Sequence, residues 1–349
     1  MISSPNSFTS TISKVISRIR ILLILMVALV IFSLILLIAG KNPIEVLRET
    51  FNYTLGTGHG FSEVIVKMIP LLFTSIAVAL PSRVGLINVG AEGQLYIGAM
   101  FATWGALTFP QLPIYLLLPL MMALGLAGGA VWAFLPVWLR AKGLVNETIT
   151  SLLMNYVAPS IVSFFVYGPW RNRENVMSPQ TPDFVQAARM PSFFGTRIHL
   201  GLIVGLIILA IYWYVMKYTR WGLEMRAIGG NAEAANRNGI PLKKYLIIAM
   251  CIGGAIAGLA GMSEVSGIHN RLRPNFSPGF GFMGFLISWL SNGSPLGILL
   301  MSFVIAVIIL GGDILQIKQG LPFAVVNILL AIALMVVLGS SESKKGGKK

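Results

Sequence analysis

Residues 113–139 read PIYLLLPLMMALGLAGGAVWAFLPVWL, 27 residues without one charge. A helix needs roughly 20 apolar residues to cross a hydrocarbon layer about 30 Å thick. This stretch is long enough to cross, and nothing in it would resist burial in lipid. Its apolar character is continuous and does not alternate. That excludes the strands of a membrane β-barrel, which run as segments of about ten alternating residues. Gly125 and Gly129 stand four apart, the small-residue spacing by which helices approach one another in a bilayer.

The whole chain has the same character. Of its 349 residues, 56% are hydrophobic and 11% are charged. A soluble domain carries about 25% charged residues. A soluble fold this apolar would expose large greasy patches and aggregate. Ten segments read as apolar helices: 21–39, 64–81, 84–108, 113–139, 144–167, 198–216, 246–262, 279–293, 295–311 and 321–338. The predicted fold is an all-α, polytopic membrane bundle of about ten spans. Segments 84–108 and 279–293 interrupt the pattern. The first holds Asn88, Glu92 and Gln94, and the second is short and rich in glycine. Both read as broken or re-entrant elements, which leaves eight or ten full crossings. Gly254/Gly258 and Ala257/Gly261 repeat the close-packing spacing, and Pro70, Pro119, Pro136 and Pro159 fall inside spans, where they kink helices or free carbonyls.

Lys14, Arg18 and Arg20 precede an apolar run of 19 residues. A signal peptide has a shorter apolar region, about 7–15 residues, so 21–39 reads as a retained first helix. The formal charge is +14. The basic residues are not clustered as in a nucleic-acid-binding chain, and no nucleic-acid partner is expected. They concentrate in the N-terminus, in Arg83, Arg140 and Lys142, in 217–245 and in the tail. The positive-inside rule then places both termini in the cytoplasm. The chain divides into a cytoplasmic segment 1–20, a transmembrane domain 21–338 and a basic tail 339–349. Segments 40–63 and 168–197 read as long extracytoplasmic loops.

The three histidines are scattered, and no His, Cys or Glu cluster has metal-ligand spacing. No metal and no cofactor are expected on the chain. It has no nucleophile elbow and no phosphate-cradling Gly-Lys-Ser/Thr loop. Neither an enzyme nor ATP hydrolysis by the chain itself is expected. The single cysteine, Cys251, permits no internal disulfide.

Residues 217–245, KYTRWGLEMRAIGGNAEAANRNGIPLKKY, form the most informative polar segment. Gly229 and Gly230 break the preceding structure. Asn231 is a good N-cap, and Glu233 falls in the first turn, where the helix dipole favours a negative charge. Gly239 is a natural stop, with Pro241 beyond it. The prediction is one short helix over 232–238, about 10 Å long. A short capped helix between two spans serves either as a docking knob for a protein or as a solvated helix beside anionic headgroups.

Glu233-Ala234-Ala235 followed by Gly239 resembles the EAA…G signature of ABC importer permeases. In that superfamily the segment is the coupling helix seated in a groove of the ATPase subunit. GLEMRAIGGNAEAANRNGI at 222–240 resembles, more narrowly, the branched-chain amino acid and ribose-type permeases. GLINVGAEGQLYIGA at 85–99 and LRAKGLVNETITSLLMNYVA at 139–158 are similar to segments of bacterial nucleoside and simple-sugar permeases. The resemblance covers most of residues 60–338. It implies about ten spans, with the docking loop between the sixth and seventh, where 217–245 falls by the span count. It also implies that Arg226, Gly230, Asn231, Glu233, Ala234, Ala235 and Gly239 meet a separate ATPase that binds ATP and Mg. The other implied partners are a second permease subunit, a paralogue or a further copy, and an extracytoplasmic substrate-binding lipoprotein. The solute expected is a nucleoside, with a simple sugar as the alternative. A different class, an ion-coupled secondary transporter using Glu92 as its carrier, is the less favoured reading.

Candidate path residues follow from polarity inside spans. A carboxylate at bilayer depth is expensive unless it is paired, hydrated or protonated. Asn88, Glu92 and Gln94 sit among glycines that let backbone unwind. Either they face the solute path, or Glu92 pairs with a base such as Arg83 and holds helices in place. Asn146 and Glu147 read as the cytoplasmic edge of the fifth span, with Asn155 two turns deeper. Trp289 and Asn292 either stack on and hydrogen-bond a nucleobase or sugar face, or Trp289 is an ordinary interfacial tryptophan.

Overall fold

The computed structural model describes residues 40–173 and 178–320, together with 30, 33, 34 and 36–38. The predicted span 321–338 and both terminal segments lie outside these residues, as does most of 21–39. The chain divides into two compact units, one made of Met1–Phe61 with Val307–Lys349 and the other of Ser62–Ala306.

In the first unit, helix α1 spans Pro43–Leu55. Asn42 caps it by accepting from the Ile44 N–H at 3.1 Å, and Pro43 occupies the first turn, where its missing N–H costs nothing. Segment 40–63 is therefore helical over much of its length and not simply a loop. Lys318 lies over the ring of Tyr53, 5.0 Å from its centroid.

The second unit holds most of α2 (Gly58–Ser82), then α3 (Ala91–Thr108), α4 (Ile114–Ala141), α5 (Glu147–Tyr167), α6 (Gly201–Tyr218), α7 (Arg220–Gly230), α8 (Ala232–Arg237), α9 (Leu242–Glu264), α10 (Phe280–Leu290) and the start of α11 (Pro295–Gln319). The fold is all-α. Among the described residues, six helices are long and apolar enough to cross a membrane, and Phe280–Leu290 is a shorter apolar one. The expected ten is thus a loose count. Segment 84–108 does not form one helix: residues 83–90 are non-helical and α3 begins at Ala91. The break falls where Gly85 takes φ +79°, a left-handed conformation that glycine adopts without cost. α2, α4 and α5 run through Pro70, Pro119, Pro136 and Pro159 without interruption.

Helices α3, α4 and α9 meet backbone to backbone. A Cβ on Gly98 would stand 2.2 Å from Gly258 Cα, one on Gly129 would stand 2.0 Å from Gly254 O, and one on Gly261 would stand 1.9 Å from Leu95 O. Only hydrogen fits at these crossings. The small-residue spacing read at Gly125/Gly129 and Gly254/Gly258 is this contact.

The order long helix, non-helical stretch, helix occurs twice. α2, residues 83–90 and α3 form the first instance. The second is α9 with its terminal π turn Val265–His269, residues 270–279 and α10.

Candidate functional site

The two non-helical stretches end at helix starts that touch. A Cβ on Gly281, in the first turn of α10, would lie 2.1 Å from Glu92 N, in the first turn of α3. Glu92 Oε2 accepts from the Gly281 N–H at 2.6 Å, and its carboxylate also bonds the Ser277 side chain. Ser277 in turn accepts from the N–H groups of Gly279 and Phe280. One buried carboxylate therefore sits between two helix N-termini, where the peptide dipoles favour negative charge. Arg83 does not reach it, so the expected alternative pairing is replaced by backbone partners from α10.

The rest of the first break is held by amides. Asn88 Nδ2 donates to Gln94 Oε1 at 3.0 Å, and Gln94 Nε2 donates back to Asn88 Oδ1 at 2.9 Å. Asn88 Nδ2 also donates to Ala77 O. Asn155, on α5, accepts from the Gly93 N–H and donates to Val89 O, both at 2.8 Å. It thus supplies both polar groups that an unwound backbone lacks in a water-poor site. Asn146 caps α5 through the Thr148 N–H, and Glu147 pairs with Arg140 at 3.1 Å and accepts from the Ile87 N–H. Asn88, Glu92, Gln94 and Asn155 are all buried.

Trp289 and Asn292 lie elsewhere, at the end of α10. They line a cavity of about 220 Å³ with Val78, Ser82, Ile87 and Ser288. Phe285 and Trp289 stack, with centroids 6.3 Å apart and planes 23° apart. Of the two groups of candidate path residues, Trp289 and Asn292 line this cavity and Asn88, Glu92, Gln94 and Asn155 do not.

The polar loop holds two helices where one was predicted. α7 fills Arg220–Gly230, capped by Thr219 through the Gly222 N–H, and stops at the expected Gly229-Gly230 pair. α8 is Ala232–Arg237, one residue shorter than the 232–238 expected. Asn231 caps it by accepting from the Ala234 N–H at 3.0 Å, and Gly239 ends it with φ +81°. Glu233 pairs with Arg237 at 2.5 Å, both side chains about three-quarters exposed. Ala235 alone on α8 is buried, while Ala234 and Gly230 face solvent. Arg226 donates to Met216 O and ties α7 to the end of α6. Glu224 accepts from the Tyr245 hydroxyl and pairs with Arg220 at 2.7 Å. Those two contacts, Tyr245 first, hold its carboxyl below the usual range.

At the other end of α9, residues 181–190 pack on residues 266–272. Thr181 N donates to Leu272 O, Phe184 N to Asn270 O, Met190 N to Ser266 O, and Arg271 pairs with Asp183 at 3.1 Å. The pair of buried Glu264 and partly buried His269, with Oε2 and Nε2 3.7 Å apart, is a polar feature that the sequence reading missed. Its signal was available: a carboxylate five residues before a histidine at the end of an apolar run.

The family described as branched-chain amino acid transport system / permease component matches residues 60–338. The chain is 35% identical over 334 residues to a glucose ABC transporter permease protein of Haloferax volcanii, covering 93% of this chain and 87% of that protein. It is 30% identical over 316 residues to a guanosine ABC transporter permease protein of Bacillus subtilis, covering 88% and 89%. It is 28% identical over 198 residues to a ribose import permease protein of Escherichia coli, covering 55% and 59%. A bundle of apolar helices, an exposed capped helix and these relatives together make the chain a multi-pass membrane transport subunit, not an enzyme, that belongs to the branched-chain amino acid transport system / permease component family of ABC permeases.

Proposed function

We propose that the chain carries a nucleoside inward across the cytoplasmic membrane, driven by a separate ATPase seated on residues 226–245. The observation that carries this reading is α8, a capped six-residue helix whose side chains, Ala235 excepted, are presented outward. ATP and Mg belong to that partner. A lipoprotein delivers the solute from outside, and a second permease, a paralogue or a further copy, completes the path.

The segments read as cytoplasmic are drawn together by direct contacts. Arg83 bonds Tyr212 and Gly293, Glu147 bonds Ile87, and Gly229 packs on the Arg83 carbonyl. The segments read as external, 168–197 and 266–272, meet at the other end. This supports placing those two groups of segments on opposite sides of the membrane. Trp289 and Asn292 line the inner part of the path. Asn88, Glu92, Gln94 and Asn155 hold open the broken helix beside it. The flat Phe285–Trp289 stack with Ser288 and Asn292 suits a nucleobase, and the guanosine permease is among the relatives. A simple sugar is the second reading, favoured by the 35% identity to a glucose permease.

Uptake of labelled guanosine and glucose in cells carrying the chain and its ATPase tests the choice. Guanosine uptake that stops when the ATPase is deleted is expected. Uptake of glucose alone overturns the nucleoside reading, and uptake that survives the deletion overturns the ATP-driven one. Glu233→Arg should abolish co-purification of the ATPase while the chain still inserts. Recovery of ATPase at wild-type yield would contradict the docking role.

A further inference from the structure

One arginine holds the 292–293 turn that lines the Trp289 cavity. Arg83 lies just beyond α2 and is half-buried. Its Nε donates to the Tyr212 hydroxyl on α6 at 3.0 Å, and its Nη2 donates to Asn292 O at 3.1 Å and Gly293 O at 2.5 Å. The Tyr212 hydroxyl donates to the same Gly293 O at 2.8 Å. Asn292 and Gly293 both take left-handed backbone, φ 50° and 61°, which turns their carbonyls toward the guanidinium. A Cβ on Gly293 would stand 2.8 Å from Arg83 Nη2, so the α10–α11 turn is shaped around that group.

The same residue is pressed from the docking side. Gly229, near the end of α7, packs so closely that a Cβ there would lie 2.4 Å from Arg83 O. Asn231, which caps α8, follows two residues later. Displacing α8 therefore bears on α7, then on the Arg83 backbone, and so on the guanidinium that holds the turn. Asn292 and Gly293 line the cavity, together with Ser82 and Ser288.

We propose that Arg83 is a positioning residue of the transport cycle: it latches the 292–293 turn across the inner mouth of this cavity and releases it when the partner moves α8 and α7. The inference rests on the transport reading above. A guanidinium suits the task, because it stays charged and offers several donors in one plane. Lysine keeps the charge but cannot span Tyr212 and two carbonyls at once.

The test uses the assembled complex with its ATPase, in a Cys251→Ala background carrying Ser288→Cys as a probe of the cavity. Ser288 is buried, and it lines the cavity. Maleimide labelling without nucleotide should rise about tenfold in Arg83→Gln. Arg83→Lys should lie between, and Tyr212→Phe should move the same way by less. Solute moved per ATP hydrolysed should fall in the same order. Labelling of Arg83→Gln at the parent rate overturns the latch. If that chain is not recovered, Tyr212→Phe decides, and parent-rate labelling there overturns it equally. Faster labelling, together with no ATP-driven solute movement by the complex whose chain keeps Ser288, leaves the latch standing and defeats the transport reading.

Discussion

Replacing Gly258 by alanine places a methyl group 2.1 Å from the Gly125 carbonyl oxygen and 3.1 Å from Gly129 Cα. Real Cβ atoms do not approach closer than 3.0 Å, so α9 and α4 must separate by about 1 Å along that turn. On the order of 40 heavy-atom pairs, each worth about 0.1–0.2 kcal/mol, would open by that gap and lose a quarter to a half of their attraction, or about 1–4 kcal/mol. Overfilled cores lose a similar amount, about 1–3 kcal/mol. A loss near 2 kcal/mol shifts the folded-to-unfolded ratio about 30-fold. The assay is thermal unfolding of the purified chain followed by tryptophan fluorescence, with Gly58→Ala as the control. Gly58 has no neighbour within 4 Å of an added Cβ, and its substitution should stay within about 0.5 kcal/mol. Gly258→Ala should melt several degrees below both the parent and the control. If it melts with them, the helices are not in backbone contact and the packing argument fails.

Glu92→Ala should destabilise the chain by about 1–3 kcal/mol, because it leaves the buried Gly281 N–H without an acceptor. Glu92→Gln keeps an acceptor oxygen and should recover most of that loss, and equal melting temperatures for the alanine variant and the parent would refute the pairing. The contact of α7 with α9 through Glu224 should depend on pH. Because that carboxyl is held low in the folded chain, its contribution is complete above the ordinary glutamate value of about 4.3 and fades as pH falls through the lowered one. Hydrogen exchange across residues 220–245 should be unchanged down to that value and then rise, and a rise beginning near neutrality would count against it.

Much of the fold was legible because lipid imposes a local rule. The runs that became α4 and α11 are apolar throughout, and α8 was bounded by Asn231 and Gly239, whose effects act within a few residues. α7 was missed because its helix carries no apolar pattern: Arg220, Glu224 and Arg226 spread charge around it, and its marks are the Thr219 cap and the glycine pair that ends it. Within the site, Asn88, Glu92, Gln94 and Asn155 stood out as polar groups in apolar surroundings, but their partners did not. Gly281 lies 189 residues from Glu92, and Gly293 lies 210 from Arg83. Pairings at that distance are set by how the helices cross, and no local spacing encodes them. Arg83 was read as an inner-side charge and as a base for Glu92, and its three acceptors on α6 and the α10–α11 turn could not have been named in advance.

The glycine crossings of α3, α4 and α9 separate inheritance of the machine from inheritance of its cargo. Backbone against backbone leaves these helices no side chains to retune, so they are poor material for a change of solute. The lining of the Trp289 cavity, Gly293 apart, has side chains to vary, and Phe285, Ser288 and Asn292 can be exchanged there without touching that contact. If the Trp289 cavity is the solute path proposed above, a scaffold divided in this way passes from one solute to another by a few rim substitutions while its central helices stay as they are.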